Sequence, residues 1–180
     1  MYKGAPFRDF KPPEIARKSS VLVLLYEADS GGSRILLTLR SDKLKSHSGQ
    51  ISFPGGKAEP GENDVQTALR EANEETGLDP RAIEVVGKLS RLYVPPSNSL
   101  ITPVVAVADR LEGLEPNMEE VEEIIELPLD YLFDKRFLKS EIKEFGSFKV
   151  DVPFWNIHKK TPLWGATAMI LKELTLVLPR

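Results

Sequence analysis

The chain contains no cysteine. This excludes disulfides, thiolate metal sites and a thiol nucleophile together, so any metal must rest on oxygen or imidazole. Glutamine stands only at Gln50 and Gln66, and the three methionines are few, a composition that leans toward thermophiles. No stretch approaches the roughly 18 consecutive apolar residues of a membrane span. Residues 1–10 lack an apolar core, so no secretory leader is expected. The end Val177-Leu178-Pro179-Arg180 carries no peroxisomal or retention address. Neither charge dominates: 24 Lys plus Arg stand against 27 Asp plus Glu, a formal net charge of −3. Sequence-independent binding to nucleic acid or to an anionic membrane is therefore not expected. What these absences leave is a cytoplasmic enzyme or binding protein.

The 180 residues are 41% hydrophobic and 28% charged, the balance of an ordinary globular chain. One domain over residues 1–180 is expected, with the Pro- and Lys/Arg-rich residues 1–19 as a short extension. Residues 20–26 read as a buried strand, residues 30–33 as a Gly-Gly turn and residues 34–39 as the partner strand. A polar stretch over residues 40–49 precedes a short strand at 50–53, which Pro54-Gly55-Gly56 ends. Further strands are expected at 83–94, 100–108 and 124–127. A proline-started helical turn follows at 128–133, then a hairpin near 145–155 and a last helix over 166–177. This mixture of strands and helices predicts an α/β fold with a sheet between helices.

The clearest helix spans residues 62–76. Val65, Ala68, Leu69 and Ala72 fall at i, i+3, i+4 and i+7 and form one apolar stripe. Gly77 stands where a left-handed residue ends a helix, and Pro80 blocks continuation. At about 100° per residue, Glu71 and Glu75 lie side by side at the shoulder of the buried stripe, with Glu74 further toward solvent. Like charges at this spacing disfavour a helix by roughly 0.2–0.5 kcal/mol. Two readings follow. One is a solvated acidic face screened by Arg70 and Lys57. The other is a hard-cation site, since carboxylates crowded on one rigid face suit Mg²⁺ or Mn²⁺. Gly55-Gly56 just before the helix lets the backbone approach a ligand closely.

Gly56, then Glu62 after five residues, then Arg70-Glu71-Ala72 with Glu74-Glu75 and Gly77-Leu78, resembles the Nudix box at every fixed position. A chance match in a chain this long has odds below roughly one in a million. The resemblance implies a Nudix-type α/β/α sandwich with a mixed sheet, and hydrolysis of a nucleoside diphosphate linked to another moiety with Mg²⁺ or Mn²⁺. Carried over residue by residue, it makes Glu71 and Glu75 metal ligands. Glu74 joins them directly or through water, Arg70 orients the glutamates by ion pairing, and the Gly56 carbonyl approaches the metal. The family's chemistry is attack by cation-activated water on a phosphoanhydride. Family precedent also points to a homodimer.

The stretch from Leu36 to Gly56 resembles the coenzyme A pyrophosphatase branch of that family, through Leu36-Leu37-Thr38-x-Arg40-Ser41, His47-x-Gly49-Gln50 and Phe53-Pro54-Gly55-Gly56. Lys45 departs from it, since the branch usually has arginine there. Lysine meets phosphate as a point charge but lacks the bidentate fork. The resemblance makes Arg40, Ser41, Lys45, His47, Gln50 and Gly55 substrate-binding candidates. Arg40, Lys43, Lys45 and His47 also concentrate positive charge beside an acidic helix, which suits the 3′-phosphate of coenzyme A. The likeness continues at residues 99–105 and 164–168 and so covers most of 20–170. Asn117-Met118-Glu119-Glu120-Val121 resembles the branch's Asn-x-x-Glu-Val pattern. Glu120 is thereby expected as base or additional ligand, with Glu123 next. Trp155 and Trp164 read as packing residues before adenine platforms.

The leading expectation is hydrolysis of free, acylated or oxidised coenzyme A to 3′,5′-ADP and 4′-phosphopantetheine or its derivative. The alternatives are the same chemistry on ADP-ribose, NADH or a dinucleoside polyphosphate, and a Nudix nucleotide-binding module without hydrolysis.

Overall fold

The computed structural model describes residues 12–44, 47–145 and 148–178. Its centre is strand β1 (Arg17–Glu27), joined by the Gly31-Gly32 turn to the antiparallel β2 (Ser33–Arg40). Two short strands, β3 (Ile51–Ser52) and β4 (Gly55–Lys57), pair with β2 and β1. Helix α1 (Asp64–Thr76) follows. Next come β5 (Glu84–Lys88), β6 (Leu92–Val94) and β7 (Ser99–Ala108). Strand β7 runs parallel to β1 from Arg17↔Ser99 to Tyr26↔Ala108, whereas every other strand pairing among the described residues is antiparallel. Strand β8 (Val121–Pro128) lies along β2, and a separate hairpin, β9 (Leu138–Phe145) with β10 (Phe148–Trp155), precedes helix α2 (Gly165–Val177).

The sheet is mixed and covered on both faces, as expected of an α/β/α sandwich. Along β1 the side chains alternate. Leu22, Leu24 and Tyr26 join Ala68 and Ala72 of α1 in one core. Val23 joins Leu171 and Leu174 of α2 in the other. A strand buried on both faces has no polar side to show, which is why residues 21–25 are continuously apolar. Strand β2 follows the same rule, with Leu36 toward α1 and Ile35, Leu37 and Leu39 toward α2.

Helix α1 begins two residues later than its periodicity predicts. Asn63 is its N-cap and exchanges side-chain and backbone bonds with Gln66 in a capping box. Gly77 ends it at φ 68°, its N–H donating to Asn73 O at 2.8 Å. The strand expected at 83–94 is two strands. β5 and β6 both pair with β7, but the segment between them lies opposite Pro103, which has no N–H to give to a ladder. The late hairpin starts at Leu138, earlier than its loose alternation suggests, and Trp155 at its end is fully buried.

Candidate active site

Three pieces of chain meet where β4 passes under α1. The first is the Gly55-Gly56 pair. Gly55 has φ +154°, and a Cβ there would fall 2.4 Å from Ser20 O, so β1 itself demands glycine. A Cβ on Gly56 would lie 2.4–2.6 Å from the carboxylate atoms of Glu71. The missing side chain thus leaves the space that the Glu71 carboxylate fills.

The second piece is the acidic face of α1. Ala68 and Ala72 anchor the helix on the sheet, and the turn that carries Glu71 and Glu75 follows them inward. Glu75 is 2% exposed. Its Oε2 accepts from Gly55 N–H and its Oε1 from Arg40 Nη1, both at 3.2 Å. Burial pushes its carboxyl up to about 7, against the pull of Arg40 and Gly55, with the charges of Glu71 and Glu120 adding to the rise. Burial likewise raises Glu71, opposed by Arg70 and reinforced by Glu74 and Glu120. Glu74 points outward at 55% exposure, as the helical wheel predicts.

Arg70 holds this face in shape. Its Nε and Nη2 grip the two oxygens of Glu62 at 2.6 and 3.0 Å, its Nη1 reaches Glu71 and Glu74 at 3.1 and 3.0 Å, and Nη2 also reaches Lys57 O at 3.0 Å. These bonds use all five of its N–H groups. Arg70 hydrogen bonding, with the Glu59 N–H and Thr67 hydroxyl, holds the Glu62 carboxyl down at about 2.

The third piece is the segment before β8. Glu115 N–H donates to Thr76 O at 2.9 Å and Asn117 N–H to Glu75 O at 3.0 Å, so the last carbonyls of α1 are bound by this loop. Glu120 N–H then bonds Asn117 O at 2.8 Å, and Glu120 O accepts from Ser41 N–H at 2.9 Å. The chain thereby carries Glu120 into the electrostatic field of Glu71 and Glu75.

The substrate candidates divide. Arg40 lies directly on the acidic cluster. Ser41 is buried in the wall beside Glu120, its hydroxyl accepting from Lys43 N–H at 3.3 Å. His47 and Gln50 pair with each other, Nδ1 to Oε1 at 3.1 Å, on a loop closed at its neck by Gly49 N–H to Arg40 O and Arg40 N–H to Gln50 O. His47 holds φ +57°, a left-handed backbone uncommon outside glycine. Lys45 lies outside the described residues. Sequence reasoning missed Asn117 as the anchor of Glu120, although the pattern that flagged Glu120 begins with it. It also missed the loop at 156–163, where His158 Nε2 lies 3.3 Å from Glu123 and Lys160 pairs with Glu122. The run His158-Lys159-Lys160 was the available signal, as the complement of Glu122-Glu123. Trp164, in contrast to Trp155, is 40% exposed.

The donor set is carboxylate and carbonyl oxygen, which fits a hard divalent cation and no soft one. Among the described residues, no three acidic or imidazole side chains converge at ligand spacing, because Glu71 and Glu75 are turned to the guanidinium groups of Arg70 and Arg40.

Comparison with known families matches residues 16–145 to the NUDIX domain. The chain belongs to the Nudix family. The acidic face of α1 is therefore its Nudix box. The chain is 36% identical over 168 residues to Nudix hydrolase 15, mitochondrial, of Arabidopsis thaliana, covering 90% of this chain and 57% of that protein. It is 44% identical over 133 residues to the peroxisomal coenzyme A diphosphatase NUDT7 of Mus musculus, covering 73% of this chain and 56% of that protein. The chain thus spans little more than half the length of these relatives. Among solved structures, the Nudix hydrolase RenU of M. smegmatis superposes with a TM-score of 0.61 at 20% identity, over 92% of this chain and 89% of that one. That likeness is one of fold. No helix among the described residues is long and apolar enough to cross a membrane.

Proposed function

We propose that this Nudix protein hydrolyses the diphosphate of coenzyme A, or of its acyl or oxidised forms, to 3′,5′-ADP and 4′-phosphopantetheine or its derivative. The observation that carries the reading is the meeting of two motifs at one carboxylate: Glu75 of the Nudix box binds Gly55 and Arg40 of the upstream signature. The 44% identity to a protein named as a coenzyme A diphosphatase supports the substrate class.

In this reading Glu71 and Glu75 hold Mg²⁺ or Mn²⁺, with Glu74 and the Gly56 carbonyl beside them. When bound, the cation supplies positive charge that acidifies water and offsets the charge growing on the phosphate oxygens. Arg70 keeps Glu62, Glu71 and Glu74 in one arrangement, so no reorganisation is needed at the moment of attack. Glu120 takes the proton of the attacking water, whose oxygen bonds to phosphorus as the bridging P–O bond breaks and the second phosphate departs. Arg40, with Lys45, Ser41, His47 and Gln50, receives the phosphates that do not react. The cytoplasm is the compartment expected from the sequence, while the two relatives carry mitochondrial and peroxisomal names.

The test is chromatography of coenzyme A incubated with the protein and Mg²⁺ or Mn²⁺, with ADP-ribose in parallel. Metal-dependent appearance of 3′,5′-ADP with little ADP-ribose turnover is expected. Turnover of ADP-ribose alone would keep the acidic helix as catalyst and overturn the substrate. No turnover of either would favour a binding module.

A further inference from the structure

Two arginines flank the acidic cluster, and they are in opposite states. Arg70 spends every N–H on an acceptor. Arg40 makes one side-chain bond, Nη1 to Glu75 Oε1 at 3.2 Å, and its Nε is buried with no acceptor among the described residues. A buried guanidinium N–H without a partner is disfavoured, so this rotamer is poorly held.

The backbone around Arg40 is fixed where its side chain is not. Its N–H and C=O both close the neck of the 41–49 loop, on Gln50 and Gly49. The pairing of β2 with β8 slips between Leu39 and Arg40, where Leu39 faces Glu123 and Arg40 faces Val121. Such a bulge re-aims a side chain away from regular strand direction. Here it accompanies an Arg40 side chain directed at Glu75 and still 20% exposed. That carboxylate is the only acidic partner the structure gives Arg40 among the described residues, and a second cation on the same oxygens would repel the guanidinium.

We propose that Arg40 is the resident counter-ion of Glu75, that guanidinium and divalent cation hold this carboxylate in turn, and that the cation's arrival releases Arg40 toward the substrate's phosphate. The inference rests on the metal site assigned under the proposed function. It makes Arg40 a positioning residue in the empty protein and a phosphate-binding residue in the loaded one. It also couples the order of binding, because the phosphate site is complete only after Glu75 has been taken.

The test is Mn²⁺ binding, by electron paramagnetic resonance and calorimetry, to nucleotide-free wild type, R40Q, R40K and E75Q at about pH 8.5, where carboxylates are favoured in their ionised form. R40Q is expected to bind Mn²⁺ about tenfold more tightly than wild type, because a charge-assisted hydrogen bond no longer competes for Glu75. R40K retains the charge and is expected to stay near wild type. For coenzyme A, R40Q should raise KM more than it lowers kcat. R40Q binding Mn²⁺ no more tightly than wild type overturns the inference while leaving the metal site standing. Wild type and E75Q binding Mn²⁺ alike overturns the metal site itself, and the inference with it. Should R40Q not fold, the wild type decides. In protein labelled with ¹⁵N-arginine, Mg²⁺ should speed hydrogen exchange at Arg40 Nε and leave Arg70 Nε unchanged. An Arg40 signal indifferent to saturating Mg²⁺ overturns the inference.

Discussion

Glu71 fills the space where a side chain at residue 56 would begin: a Cβ on Gly56 would lie 2.4 Å from Glu71 Oε2. The obstructing atoms are the end of a flexible side chain, which moves aside at little cost. Gly56→Ala should therefore fold with a stability change below about 1 kcal/mol. If Glu71 is the metal ligand proposed above, the substitution should nevertheless lower kcat by at least about 100-fold, since a ligand displaced by about an ångström no longer meets its ion. Gly55→Ala is the opposite case. Its Cβ would meet the backbone of β1, Ser20 O at 2.4 Å and Val21 Cα at 2.6 Å, which does not yield. A loss of about 2–4 kcal/mol in urea denaturation is expected. Equal effects of the two substitutions on stability would contradict this division of roles.

Glu75→Gln and Glu71→Gln keep shape and remove charge. Both should abolish turnover nearly completely, by roughly a thousandfold or more, if these oxygens hold the catalytic cation. Neither should lower the melting temperature of the metal-free protein much, because burial already disfavours both charges. The decisive observation is the melting temperature with Mg²⁺ present: wild type should rise and both variants should not. Wild-type turnover in either variant would remove that residue from the metal site.

Much of this site is legible in the chain because its residues lie within one helix. The stripe Val65, Ala68, Leu69 and Ala72 sets which face is buried, and Glu71, Glu74 and Glu75 follow from 3.6-residue periodicity. What periodicity cannot supply is depth. Glu75 reads as a shoulder residue and is buried, because Arg40 closes over it from 35 residues upstream. Glu120 is a candidate by pattern alone, and its placement depends on Asn117 N–H binding the Glu75 carbonyl, a backbone contact no side-chain pattern reports. In the fold, the continuous apolar run of β1 reads correctly as a buried strand. The break between β5 and β6 is set across the sheet by Pro103 and is invisible in the broken strand itself.

The Glu62–Arg70 fork makes a prediction about acid stability. Arg70 holds the folded Glu62 carboxyl near 2, below its ordinary value of about 4.5. A depressed carboxyl contributes stability that is full above the unfolded value and is lost as pH falls through the folded one. Wild type should therefore exceed Glu62→Gln in melting temperature by a constant margin from neutral pH down to about 5. The margin should then shrink between about 4.5 and 2. A margin that persists unchanged to the bottom of that window would show that Glu62 acts by packing, not by its charge on Arg70.

Glu120 separates two roles that its placement alone allows, base and ligand. If it accepts the proton of the attacking water, Glu120→Gln should lower kcat by about 10²–10⁴-fold and leave Mn²⁺ affinity within a few-fold of wild type. If it is a ligand, affinity and turnover should fall together. The proposed role is the first: the backbone of Glu120 is tied to Ser41 and Asn117, and among the described residues its carboxylate has no hydrogen-bond or ion-pair partner. Asn117→Ala tests the support separately. It leaves the Asn117 N–H bond to Glu75 O in place and removes only the Oδ1 acceptor for Glu119 N–H, so kcat should fall by no more than about threefold. Asn117→Pro deletes the N–H itself and should approach the Glu120→Gln loss. A proline variant as active as wild type would mean that Glu120 finds the water without the help of α1.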